Sequence, residues 1–129
     1  MSEAPDDLRY SKSHEWLRSN ADGTVTVGIT DHAQDQLGDL VYVEVPEAGR
    51  QLAAGDACAV VESVKAASDV YAPIAGTVVA GNAALADAPE VVNTDPYGEG
   101  WLLKLTPADA AALNGLMNAG EYQAFVESE

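Results

Sequence analysis

Lysine is scarce in this chain, and one of its three copies stands where an amine could be put to chemical use. Lys12 and Lys104 flank β-type runs and read as solvated charged heads. Lys65 lies inside Val60-Val61-Glu62-Ser63-Val64-Lys65-Ala66-Ala67-Ser68-Asp69-Val70-Tyr71-Ala72-Pro73, which reads as a strand, a brief reversal and a second strand. A charged head at such a reversal, between small or slim neighbours, is reachable without moving the core. Two readings follow from the residues alone. One is an unmodified surface lysine. The other is an anchor for a post-translational acyl group, because a modifying ligase needs an exposed amine on a rigid platform. Acylation would remove the charge and attach a flexible arm, raising the tethered group's effective concentration at a docked partner to roughly the mM range.

Other chemistries find less support. A Schiff-base nucleophile at Lys65 needs a desolvated or cation-flanked amine, whereas the neighbouring Glu62 favours the charged form. Cys58 is the only cysteine and sits in the apolar run Ala57-Cys58-Ala59-Val60-Val61, so it reads as a small buried hydrophobe. His14 and His32 are separated by 18 positions (14 to 32) with no further ligand in metal-binding spacing, which favours structural or surface roles. Trp16 and Trp101 read as core aromatics. The scattered acids form no calcium loop, and neither a Gly-x-Ser-x-Gly elbow nor a phosphate-binding loop occurs. No catalytic residue and no metal ligand is expected.

The elements that must position Lys65 are mostly strands. Thr24–Ile29 alternates with period two and puts Val25, Val27 and Ile29 on one face. In Leu40–Val45 the three valines share a face by the same rule. Ala57–Glu62, Asp69–Ala72, Thr77–Ala80 and Trp101–Leu105 complete the β-type runs. Gly, Pro, Asn and Asp punctuate them closely, which points to a barrel or sandwich and not to a parallel sheet with crossover helices. Thr30 to Gly38 reads as a short helix capped by those two residues. Beyond it, Thr106-Pro107-Ala108-Asp109 predicts a helix start carrying Leu113, Leu116 and Met117. Asn118-Ala119-Gly120-Glu121 predicts a second start, with Met117 and Tyr122 as a hydrophobic staple and Tyr122, Phe125 and Val126 on one face. The expected organisation is an acidic leader (1–7), a β domain (8–105) and C-terminal helices packed on it (106–129).

One internal echo bears on the lysine. Pro46-Glu47-Ala48-Gly49, then Leu52-Ala53 and Gly55-Asp56-Ala57, resembles Pro73-Ile74-Ala75-Gly76, then Val79-Ala80 and Gly81-Asn82-Ala83, with a one-residue slip. The pattern suggests a quasi-twofold domain in which Lys65 falls between the copies.

Composition sets outer bounds. With 129 residues, 47% hydrophobic and 21% charged, the chain fits one globular domain. No apolar run approaches the ~20 residues of a membrane span. The acidic start, Met1 to Asp7, resembles neither a secretory signal nor an Arg-rich transit peptide, so a cytoplasmic location is expected. A net charge of −15 disfavours nucleic acid and anionic membrane as partners. It would suit docking onto basic rims of partner enzymes, or simply solubility.

A resemblance narrows this. Glu62 to Pro73 resembles the lipoylation segment of the glycine cleavage H proteins. Ser13-His14-Glu15-Trp16-Leu17, Val27-Gly28-Ile29-Thr30-Asp31-His32-Ala33-Gln34, Leu37-Gly38-Asp39-Leu40-Val41-Tyr42-Val43 and Asn93-Thr94-Asp95-Pro96-Tyr97-Gly98-Glu99-Gly100-Trp101 are similar to further segments of that family, in its order. The resemblance spans about residues 10 to 105.

It implies a mainly β hybrid barrel-sandwich of two antiparallel sheets, with a short internal helix and C-terminal helices. It implies lipoate in amide linkage on Lys65, as a cofactor of a monomeric, non-catalytic carrier. The arm would take the aminomethyl group left by glycine decarboxylase to an aminomethyltransferase, and dihydrolipoyl dehydrogenase would reoxidise it. A lipoate ligase or lipoyl transferase would attach it. Glu62 and Asp69 would serve recognition, or be solvated hairpin charge. The family also holds the loaded arm in a surface cleft, which spacing does not locate here. Two alternatives keep the carrier class. One is a relay of lipoate to 2-oxoacid dehydrogenases. The other is a biotinyl carrier, disfavoured because Val64 and Ala66 stand where biotinyl domains have methionines.

Overall fold

The computed structural model describes residues 8–128, so the acidic leader expected at 1–7 lies outside the described residues. Nine strands follow in order: β1 (Arg9–Tyr10), β2 (Glu15–Ser19), β3 (Val25–Ile29), β4 (Leu40–Glu44), β5 (Gln51–Leu52), β6 (Ala57–Ser63), β7 (Ala67–Tyr71), β8 (Gly76–Gly81) and β9 (Leu103–Pro107). Helix α1 (Asp31–Leu37) separates β3 from β4, the single turn α2 (Val91–Thr94) precedes β9, and α3 (Ala119–Ser128) ends the fold. One sheet has the order β1-β2-β3-β9-β8-β5 and the other β4-β6-β7, and every pairing is antiparallel. The mainly β, two-sheet architecture with a short internal helix is the one the sequence pattern and the resemblance led us to expect.

The main core fills the space between the sheets. Val25, Val27 and Ile29 of β3, Val43 of β4, Val61 of β6, Val78 of β8 and Leu103 and Leu105 of β9 are all buried in it. A second cluster, Leu8, Tyr10, Trp16, Ala119 and Tyr122, lies beneath α3, where Phe125 and Val126 also pack. Its ends are tied by a bridge in which Tyr10 and Met117 exchange backbone bonds of 2.8 and 2.9 Å.

Two local expectations are corrected. The valines of Leu40–Val45 do not share a face, because the β4–β6 register shifts between Leu40 and Tyr42. A bulge inserts a residue and reverses the alternation, leaving Val41 58% exposed while Val43 is buried. The helix expected to start at Thr106 does not start there. Thr106 and Pro107 extend β9 and pair with Thr77 and Gly76, so the ladder outcompetes the cap. Asp109 caps instead, accepting from Ala111 N–H at 3.0 Å, and opens a 3₁₀ turn over Ala110–Gly115. The second start holds: Asn118 and Glu121 form a reciprocal capping box at 3.0 and 2.8 Å.

The echoed segments are each other's partners. Gln51 pairs with Thr77 and Leu52 with Gly76, while Gly49 N–H donates to Val78 C=O. Leu52 and Val79 are equivalent positions in the echo, as are Gly49 and Gly76. Leu52 thus meets the opposite copy's glycine directly, and Gly49 bonds one residue short of Val79. The local twofold leaves the β6–β7 hairpin, and Lys65 at its tip, as the link between the copies.

Candidate functional site

The hairpin tip is built by Ser63. Its backbone N–H donates to Ala66 C=O at 2.9 Å, closing a loop of Val64 and Lys65. Neither takes a positive φ, so this is not one of the mirror-image turns that hairpins usually prefer. The Ser63 hydroxyl supplies what the backbone lacks, accepting from Lys65 N–H at 3.1 Å and Ala66 N–H at 3.2 Å. Ser63 is buried while Val64 and Lys65 are exposed, which anchors the turn and leaves the amine outside.

The lysine side chain is not loose in solvent. Its outer atoms lie over Gly38, where a β-carbon would come within 3.3 Å of Lys65 Cε and 3.6 Å of Nζ. Gly38 has φ 85° and ψ −164°, a region open essentially to glycine alone, and it ends α1 by donating to Gln34 C=O at 3.0 Å. Thr30 caps the other end, accepting from Ala33 N–H at 3.2 Å.

Along α1, up to Leu37 beside Gly38, runs a cleft of about 420 Å³. Leu37, Gln36, Ala33 and His32 form one wall, and the other is Val61 with Ser68, Asp69 and Val70 of the edge strand β7. Ser13, His14, Glu15, Ile29 and Val126 complete its lining. Glu15 is only 2% exposed. Burial raises its pKa above the ordinary carboxyl value, against the lowering effect of bonds from Ser11 and Ser13 hydroxyls and the Tyr71 N–H. His14 sits at φ 68°, with Nδ1 2.8 Å from Tyr122 Oη, which is itself 2.7 Å from Thr30 Oγ1. The His14 and His32 rings lie 4.9 Å apart, centroid to centroid.

The two acids singled out beside the anchor part company. Asp69 lines the cleft, and Glu62 pairs with Tyr42 and Ala67 away from it. Spacing gave no sign that Ser13, His14, Glu15 and His32 converge, because Glu15 pairs with Ile29 across β2–β3 and His32 follows on α1. Trp16 is fully buried and donates to Pro96 C=O at 2.9 Å. Trp101 is half-buried, with Lys104 Nζ 5.2 Å from its ring centre, so Lys104 is a stacked cation rather than a free head. Cys58 is buried and its thiol pKa is pushed up to about 12, chiefly by desolvation and then by Glu15. Among the described residues no His, Cys, Asp and Glu group has an arrangement that could hold a metal ion. Likewise, no helix there is long and apolar enough to cross a membrane.

Two antiparallel sheets around one core, with an exposed lysine at a hairpin tip beside a part-polar groove, define a hybrid barrel-sandwich of the lipoyl-domain class. The family model described as "Glycine cleavage H-protein" matches residues 8–129. The chain is 64% identical over 129 residues to a glycine cleavage system H protein of Halorhodospira halophila, covering 100% of this chain and 99% of that one. It is 57% identical over 129 residues to that of Cronobacter sakazakii, covering all of both. A crystal structure of a glycine cleavage system H protein from Mycobacterium marinum superposes with a TM-score of 0.87 at 42% identity, over 96% of this chain and 99% of that one. The chain belongs to the glycine cleavage H-protein family. Membership places it among the carrier components of the glycine cleavage system.

Proposed function

We propose that Lys65 Nζ carries lipoate in amide linkage, and that the cleft beside it shelters the loaded arm. Bound there, lipoate supplies a dithiolane that carries the one-carbon amine fragment of glycine and its reducing equivalents. The chain itself catalyses nothing. It presents the arm in turn to glycine decarboxylase, aminomethyltransferase and dihydrolipoyl dehydrogenase, after a lipoate ligase or lipoyl transferase has attached it, in the cytoplasm.

The observation that carries the reading is the placing of Lys65. Its amine is exposed on a turn locked by Ser63, and its outer atoms lie over Gly38, next in sequence to the cleft residue Leu37. The residues fit the group. Leu37, Ile29, Val61 and Val70 offer apolar contact to a hydrocarbon arm, while Glu15, Asp69 and the Ser13 hydroxyl offer acceptors to a cationic end. A cationic end held against the buried Glu15 carboxyl would be kept from water, which would slow hydrolytic loss of the fragment.

The test is intact mass after incubation with lipoate, ATP and a lipoate ligase. Wild-type chain is expected to gain one lipoyl group, mapped to Lys65 by peptide digestion. Lys65→Arg should gain none while unfolding within about 0.5 kcal/mol of wild type, since the side chain is exposed. An adduct on Lys12 or Lys104, or none on the wild type, would overturn the assignment.

A further inference from the structure

The shelf under Lys65 is held in place from a distant part of the chain. Asn93, in α2, donates through Nδ2 to Gly38 C=O and to Gln34 Oε1, both at 2.9 Å, and accepts through Oδ1 from Leu40 N–H at 2.9 Å. One amide therefore spans the whole exit from α1 into β4. The same stretch supports the lysine turn, for Val64 N–H donates to Asp39 C=O at 3.1 Å and Ser63 pairs with Leu40. Four residues further on, the Tyr97 hydroxyl accepts from Asp31 N–H at 3.0 Å and so holds the opposite end of α1. The segment from Asn93 to Tyr97 thus braces both ends of the helix that forms one wall of the cleft.

We infer that Asn93 is a positioning residue for the arm. By fixing Gly38 it sets the surface on which Lys65 lies, and so directs the root of the arm along α1 into the cleft instead of outward. The inference rests on the reading of Lys65 as the attachment point, but the contact it invokes exists in the unmodified chain. Asparagine suits the task because it offers two donors and one acceptor at once, and Gly38, Gln34 and Leu40 need that set. Aspartate has the same shape and keeps the acceptor for Leu40, yet it loses both donors and places a charge against the Gly38 carbonyl. The bonds reach across 53 to 59 sequence positions, so their effect is on how two elements sit together and not on local propensity.

The experiment compares full-length wild type with Asn93→Asp, before and after enzymatic lipoylation. In the unmodified chain, NMR contacts between the Lys65 ε-methylene and the Gly38 α-protons are expected in wild type and lost in the variant. Cross-strand contacts between Glu62 and Ala67 should persist in both, showing that the hairpin itself is intact. After lipoylation and reduction, the arm's thiols are expected to react with a bulky maleimide about tenfold faster in the variant, the scale of one to two lost net hydrogen bonds. Lys65–Gly38 contacts that survive in Asn93→Asp, or equal thiol reactivity, would overturn the inference. A wild-type chain that refuses lipoate would instead sink the reading of Lys65, and the NMR comparison would still judge the shelf. Should Asn93→Asp fold poorly, Gly38→Ala probes the same surface from the lysine side. Unchanged Lys65 ε-methylene shifts in that variant would likewise overturn it.

Discussion

Ser11 and Glu15 are locked to each other through side chain and backbone: the Ser11 hydroxyl donates to Glu15 Oε1 at 2.5 Å and accepts from the Glu15 backbone N–H at 3.0 Å, while Ser11 N–H donates to Glu15 C=O at 2.9 Å. Ser13 adds a second hydroxyl donor to the same oxygen at 2.7 Å, and Tyr71 N–H reaches Oε2 at 3.4 Å. These bonds favour the ionised carboxylate, yet burial outweighs them and the pKa is raised above its ordinary 4.5. The native state therefore holds this proton more firmly than the unfolded chain does. Over the interval from 4.5 up to the raised folded value, the native state binds more protons, so this group's contribution to stability falls as pH rises. Below that interval both states are protonated, and the full contribution is present. Glu15→Gln keeps the shape and an acceptor but cannot ionise. Urea unfolding followed across acid to neutral pH should show wild type losing stability relative to Glu15→Gln, with the gap opening above 4.5 and then levelling. A constant gap across that range would contradict a raised pKa.

Ser63→Ala should loosen the turn that presents Lys65. Two backbone donors, Lys65 N–H and Ala66 N–H, lose their acceptor, and both lie near solvent that can replace it in part. The expected cost is about 1 kcal/mol, read as a shift in the urea midpoint with an unchanged slope. Hydrogen exchange at Lys65 and Ala66 should accelerate while exchange at Val61 stays slow. Acceleration spread evenly over β6 and β7 would mean that Ser63 stabilises the whole hairpin and not its tip.

What the sequence made legible follows from range. The alternation of Val25, Val27 and Ile29, the caps at Thr30 and Gly38, and the Asn118–Glu121 box are written in neighbouring residues, and the structure places them as read. The bulge beside Val41 and the extension of β9 through Pro107 are decided by partner strands, which local pattern does not record. The exposed lysine could be picked out because a reversal between two strands is itself local. The cleft could not, because it assembles Glu15, His32 and Asp69 from three separate elements. Asn93 was hidden for the same reason, lying 55 positions from the carbonyl it holds.

Cys58 should be inert in the folded chain. The reactive species is the thiolate, and desolvation with Glu15 nearby pushes the thiol up to about 12. At mildly alkaline pH an alkylating reagent should leave native protein unmodified for hours and label one site promptly in denaturant. Labelling that tracks unfolding measures opening of the core, since Cys58 packs there with Ala59 and Val61. Rapid labelling under native conditions would show that β6 opens locally.

Gly28→Ala tests how rigidly the second core is set. Gly28 faces Trp16 across β2–β3, and a β-carbon there would come within 2.6 Å of indole Cε2 and Cζ2. The ring has little freedom to retreat. Its Nε1 is bonded to Pro96 C=O, the Arg18 guanidinium carbon lies 5.0 Å from the ring centre, and Arg18 is itself bonded to Tyr97 C=O at 2.7 Å. Overpacking of this kind costs about 1–3 kcal/mol. Because Trp16 pulls on Pro96, the strain should reach the Asn93–Tyr97 brace. The variant is therefore expected to unfold earlier, to shift its tryptophan emission to the red, and to loosen the Lys65–Gly38 contact in the same NMR measurement. An early-unfolding variant with that contact unchanged would confine the role of Trp16 to the core beneath α3 and separate it from the positioning of the arm.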